Sequence, residues 1–254
     1  MLNCMRTSSK IMATTLIFLG VVAAVVWSVV IREDRGLLTI SFLPAGKTSI
    51  VVIEAPSGRT VLIDGGSGAH VLRAVGSVFP WYRRSVDVVV VAHPDTTYVS
   101  GLVDIFKRYH VERVVRSGAS GSGPVWIAFE QSLQNIQKDT SVLIAQRGQV
   151  IDLGGGAYIE ILFPDRNLAL ASSGEACVEM QLVYKATSFM LSCGVPSVQE
   201  YLVLLDGNGL QSHVLSADNG SGTSSPLFAG FVAASINARS GTRLVSDGVT
   251  IREI

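Results

Sequence analysis

The chain has 254 residues, 48% of them hydrophobic, and its 20 basic and 20 acidic side chains give a formal net charge of zero. That composition, with 25 glycines, suits one α/β domain together with a membrane segment. No excess of positive charge argues for nucleic acid as a partner.

Residues 1–10 form a short tail. Residues 11–31 contain no charged side chain, and at ~1.5 Å per residue a helix of that length crosses a ~30 Å hydrocarbon core. The stretch therefore reads as a transmembrane anchor. A cleaved signal peptide would have a shorter apolar core and a small-residue cleavage site, and neither is clear here. Arg6 and Lys10 before the span are matched by Arg32 and Arg35 after it, so the positive-inside rule sets no orientation.

Extended runs follow at 37–43, 50–54 and 60–63, separated by turn signals at Pro44 to Gly46 and Pro56 to Gly58. They predict an antiparallel opening sheet. Val71, Leu72, Val75 and Val78 have helical spacing, which predicts a helix over 69–79, and Leu102, Ile105 and Phe106 predict another over 98–109. A buried run at 86–92 lies between them. Next come a strand at 111–115, a loop at Ser117 to Gly123, a helix over 125–136, and strands at 142–145, 157–163, 178–184 and 189–191. Two groups of strands with outer helices imply a layered sandwich.

Chemistry concentrates where the run 86–92 ends in His93, Pro94 and Asp95. There an imidazole and a carboxylate leave a strand end together, as hydrolytic metal sites require. The segments SFLPAGKTSIVVIEAPSGRTVLIDGG, AHPDTTYVSGL, LVYKATSFMLSCG and HVLSADNGSGTSS, in that order, resemble the metallo-β-lactamase-like domain at the carboxyl end of ComEC-type DNA-uptake proteins. The resemblance spans 37–254 and implies an αββα sandwich of the α/β (α+β) class.

In that family the loop reads T-H-P-D-A-D-H-x-G-G-L. His93 and Asp95 keep their places, whereas Thr97 stands for an Asp and Tyr98 for a His. The family's L-L-T-G-D ends here in Gly194, without the metal-bridging carboxylate. Its G-H-H-G-S-x-T-S survives around Asp218 and Asn219 with both histidines lost, and a later His-bearing segment is missing. Asp64, in LIDGG, matches a carboxylate that supports the family's site from behind the ligands. It can equally be a turn residue before Gly65 and Gly66.

Two readings follow. In one, the lost ligands leave no cofactor, and the chain is a membrane-anchored binding or scaffold protein related to DNA uptake, with a channel protein as partner. Relatives place this domain outside the cytoplasmic membrane. His93 and Asp95 then stay for their hydrogen bonds, Asp95 accepting from backbone N–H groups and His93 held by a carboxylate. Their joint replacement by Ala should cost only ~1–3 kcal/mol. In the other reading, His93, Asp95 and Asp218 hold one zinc or other divalent cation and the chain is a phosphodiesterase or nuclease acting on DNA. Losing the bridging Asp and paired His makes a metal hydroxide hard to generate near neutral pH.

Other chemistries find no support. Ser221, Thr223 and Ser224 have no following His, which argues against a serine triad. IDLGGGAYIE lacks the Lys and Ser/Thr of a phosphate loop, and Cys4, Cys177 and Cys193 have no metal-type spacing. A two-residue turn at Lys185 and Ala186 would set Tyr184 opposite Thr187 and Cys193 opposite Val178. The sulfurs of Cys177 and Cys193 would then point to opposite faces and stay unbonded.

Overall fold

The computed structural model describes residues 15–27, 36–171, 176–216 and 224–254. Residues 1–36 and 37–254 form separate compact units. In the first, residues 15–27 form helix α1, whose apolar side chains, among them Leu16, Phe18 and Trp27, are exposed. The rest of the expected span, 11–14 and 28–31, lies outside the described residues. No described helix is long and apolar enough to cross a membrane.

The second unit opens with the antiparallel strands β1 (Leu38–Ala45), β2 (Thr48–Glu54) and β3 (Thr60–Ile63), with Phe42 opposite Val51 and Val52 opposite Leu62. The first turn falls at Gly46, one step later than the sequence suggests, because Pro44 is paired with Ser49 inside the ladder. Then come helix α2 (His70–Val78), strand β4 (Ser85–Val91), helices α3 (Thr96–Val99) and α4 (Leu102–Arg108), strand β5 (His110–Arg116), helix α5 (Gly123–Ile136) and strand β6 (Ser141–Ile144). Strands β3 to β6 are parallel neighbours.

The second sheet holds β7 (Val150–Gly154), β8 (Ala157–Phe163), β9 (Glu179–Tyr184), β10 (Thr187–Leu191), β11 (Val214–Ser216) and β12 (Ile236–Ala238). Helix α6 (Pro196–Asp206) lies between β10 and β11 in sequence, and α7 (Pro226–Val232) between β11 and β12. Strands β13 (Arg243–Ser246) and β14 (Ile251–Glu253) return to the first sheet, where β13 pairs with β1.

Side-chain alternation sorts the apolar residues into three layers of core. Val51 and Ile53 of β2, and Val88 and Val90 of β4, meet Ile159, Ile161, Met180, Leu182 and Phe189 of the second sheet. Their neighbours Ile50, Val52, Val89 and Val91 face the other way, onto α2, α4 and α5 through Val71, Val75, Ile105 and Phe129. On the far side, Leu162, Met190 and Leu215 pack on Val198 and Leu202 of α6 and Phe228 of α7. Helix, sheet, sheet, helix is the layered order that the pattern of strands and helices implies.

The single helix expected over 98–109 is two helices broken at Ser100 and Gly101. The cause is close packing against the β3 turn: a Cβ on Gly101 would lie 2.0 Å from the Gly65 carbonyl oxygen. Gly65 N–H donates to Tyr98 O at 2.7 Å, and Gly101 N–H to Gly66 O at 3.2 Å. This contact holds the loop carrying His93, Asp95 and Tyr98 against the turn carrying Asp64.

Candidate functional site

Four strand ends converge at one end of the sandwich: the carboxyl ends of β3, β4 and β10, and the start of β9. Asp64 follows β3 in a left-handed conformation (φ 61°) that Asp tolerates better than most residues. Its carboxylate is buried and turned toward β4. Oδ1 accepts the backbone N–H groups of Ala92 at 2.8 Å and His93 at 3.2 Å, and Oδ2 lies 2.8 Å from Nδ1 of His93.

His93 is itself buried, and its Nε2 lies 2.7 Å from the carbonyl oxygen of Cys193, which follows β10 in the other sheet. A carbonyl oxygen only accepts hydrogen bonds, and the carboxylate oxygen opposite Nδ1 does so as well. Both ring nitrogens therefore donate, and the ring is an imidazolium. Burial alone would lower its pKa; the Asp64 charge and hydrogen bond outweigh that, with help from the Cys193 carbonyl, and raise it above the usual 6.5. The ring of Tyr98 stacks on it, centroid to centroid 4.1 Å at an interplanar angle of 20°.

Asp95 begins α3. Its Oδ1 accepts the Thr97 N–H at 2.9 Å and also the Thr97 hydroxyl, bonds that hold its pKa below the usual carboxylate value. This is a helix cap. Asp95→Ala should therefore cost only about 1 kcal/mol, with Asp95→Ser recovering most of it, as denaturant midpoints would report. A loss of several kcal/mol would show that Asp95 holds more than the cap.

Across the site the two sheets are joined by backbone, Val178 N–H donating to Ala92 O at 2.9 Å. Glu179, fully buried, accepts the Cys193 N–H through Oε2 at 2.8 Å, while its Oε1 has no partner among the described residues. Burial pushes its pKa up to about 7, against the lowering pull of its bonds to Cys193 and Ser192 and of the His93 charge. Behind it, the buried Gln199 of α6 donates to Ser192 Oγ at 2.7 Å and accepts the Ser225 N–H at 2.7 Å.

Neither Glu179 nor Gln199 stands out in the sequence as a site residue. Cys177 and Cys193, expected from the hairpin to stay unbonded, instead form a disulfide with S–S 2.10 Å and Cα atoms 6.1 Å apart. Tyr184 does lie opposite Thr187, as the two-residue turn requires, but that register does not extend to the cysteines. Paired residues stop at Leu191 and Met180; beyond them Val178 bonds to Ala92 in the other sheet, and Gly194 turns away at φ 68°. The alternation that would separate the sulfurs ends before reaching them.

A metal ion on His93 needs a ring nitrogen with a free lone pair, and neither nitrogen offers one. Thr97 spends its hydroxyl on Asp95, Tyr98 covers the ring, and Gly194 has no side chain. Asp218 and Asn219 lie outside the described residues. The described residues thus do not fit the metal centre that the family resemblance implies. Replacing His93 removes a donor to Asp64 within the first sheet and a donor to Cys193 across to the second, so its cost should exceed the ~1–3 kcal/mol expected for a loop residue.

The metallo-β-lactamase fold protein YhfI from Bacillus subtilis matches 80% of this chain and 87% of its own, with 14% identity and a TM-score of 0.50. Igni18, a metallo hydrolase from Ignicoccus hospitalis, matches 83% of this chain and 98% of its own, with 12% identity and a TM-score of 0.49. No protein-family model matches the sequence, and no curated relative does. On the first of these likenesses the domain has the metallo-β-lactamase fold; at such identities the likeness is one of fold alone.

Proposed function

We propose that the chain uses a metallo-β-lactamase fold as a binding or scaffold module without hydrolysis, anchored by residues 11–31 in the cytoplasmic membrane with residues 37–254 on the extracytoplasmic side. The observation that carries this reading is His93. Its two nitrogens are committed to Asp64 and to Cys193, so the end of the sandwich where hydrolytic relatives would place metal is closed by the protein's own hydrogen bonds.

The Cys177–Cys193 disulfide supports an oxidising compartment, since such bonds persist outside the cytosol and are rare within it. The uncharged stretch 11–31, with exposed apolar side chains on its described portion, supports the anchor. One span builds no channel, so a role in DNA uptake is that of an accessory to a multi-span channel protein. Zero net charge favours a protein partner over nucleic acid.

Elemental analysis of the purified chain with its disulfide intact, paired with a phosphodiester hydrolysis assay, tests the reading. The expected result is no stoichiometric metal, and no hydrolysis beyond that of a His93→Gln variant. Stoichiometric zinc, with hydrolysis that His93→Gln abolishes, would instead establish a reduced catalytic site at His93, Asp95 and Asp218.

A further inference from the structure

We propose that Cys177, Glu179 and Cys193 form a zinc-type metal site that the disulfide closes and that reduction opens. The inference goes beyond the scaffold reading and uses none of the ligand positions implied by the family resemblance. Among the described residues, the two sulfurs and a carboxylate oxygen of Glu179 all lie within 4.8 Å of one another. All three residues are fully buried.

The second observation is the carboxylate itself. Glu179 Oε2 accepts the Cys193 N–H, but Oε1 is buried with no described partner. A buried acceptor in that state ordinarily costs stability and is rare. A cation between the sulfurs and the carboxylate would use it.

The backbone supplies the preorganisation. Cys177 and Cys193 lie just beyond the last β9–β10 pair, Met180 with Leu191, with Cα atoms 6.1 Å apart, and the Val178–Ala92 backbone bond and the Cys193 N–H to Glu179 bond fix the chain beside them. Two thiolates bound tetrahedrally at ~2.3 Å lie roughly 3.8 Å apart, which χ1 rotation of cysteines so placed can reach. Two soft donors with one hard donor select zinc and its neighbours over magnesium or calcium.

Opening requires a dithiol reductant. Its thiolate attacks one sulfur of the disulfide and displaces the other as a thiolate; its second thiol then resolves the mixed disulfide. The chain gains two electrons and two protons, leaving two cysteine thiols, and the reductant becomes a disulfide. A divalent metal then displaces the two thiol protons as it binds.

Cobalt(II) titration of the full chain in detergent tests this, in a Cys4→Ser background so that Cys177 and Cys193 are the only cysteines. After reduction, a thiolate-to-cobalt charge-transfer band is expected, zinc should displace it, and zinc should raise the melting temperature of the reduced chain. The oxidised chain should show no such band. Glu179→Gln, which keeps an oxygen for the Cys193 N–H, should weaken cobalt binding by more than the ~10–100-fold typical of losing an outer-shell partner.

Absence of the band in the reduced chain would overturn the proposal. So would unchanged affinity in Glu179→Gln, or a melting temperature lowered by zinc, which marks binding to the unfolded chain. Metal taken up by the oxidised chain counts against the scaffold reading, whereas the thiolate band decides this one, so the two fail separately.

Discussion

Asp64→Ala should destabilise the domain by about 4 kcal/mol or more, a large share of the ~5–15 kcal/mol that holds a typical domain together. One carboxylate accepts three hydrogen bonds: two from the backbone at the end of β4 and one from the His93 ring. Its removal leaves two buried N–H donors and a buried imidazolium without an acceptor. Breaking a buried ion pair from one side typically costs ~3–5 kcal/mol. An Ala at φ 61° adds about 1 kcal/mol of backbone strain.

Asp64→Asn separates the terms. It tolerates the left-handed backbone and keeps an oxygen for the Ala92 and His93 N–H groups, but it loses the charge facing the ring. About half the loss should remain, and the His93 pKa, read by NMR titration, should fall. A loss below ~1 kcal/mol for Asp64→Ala would mean that His93 is not held as a buried cation.

Much of this arrangement was legible in the sequence, because it sits in local patterns. The apolar run of β4 ending in His93, Pro94 and Asp95 announces a strand end bearing polar groups, and Gly65 and Gly66 announce the turn that presents Asp64. Glu179 was hidden by the same logic. Val178, Met180, Leu182 and Tyr184 alternate with Glu179 and Gln181, which reads as a strand with one wet face. That face is dry at Glu179, which is buried against the Cys193 backbone at the end of β10, and a partner so far along the chain leaves no mark on the local pattern. Likewise β13 lies beside β1, Leu38 opposite Ser246, a pairing between distant ends of the domain that no local period encodes.

Stability should fall as pH rises from 5 to 8 in the oxidised, metal-free chain, and Glu179→Gln should remove most of that fall. A group whose pKa is higher in the folded chain than in the unfolded one binds its proton more tightly when folded, so stability declines as pH rises between the two values. For Glu179 that interval runs from 4.5 to about 7, and its width corresponds to roughly 3 kcal/mol.

His93, with its pKa raised above 6.5, acts in the same direction at higher pH: its contribution is complete below 6.5 and is lost as pH rises through the folded value. The depressed carboxylates Asp95, Asp165 and Asp247 act oppositely, but their reference value of 3.8 confines the effect to more acidic solution. From pH 5 upward they are ionised whether the chain is folded or not, so they contribute a constant.

Glu179→Gln mimics the protonated acid. It should match the parent near pH 5, exceed it in melting temperature at pH 8, and leave only the His93 decline. A parent whose stability is level across this range, or a Glu179→Gln variant no more stable than the parent at pH 8, would show that Glu179 reaches water when it ionises and that the end of the sandwich is open rather than sealed.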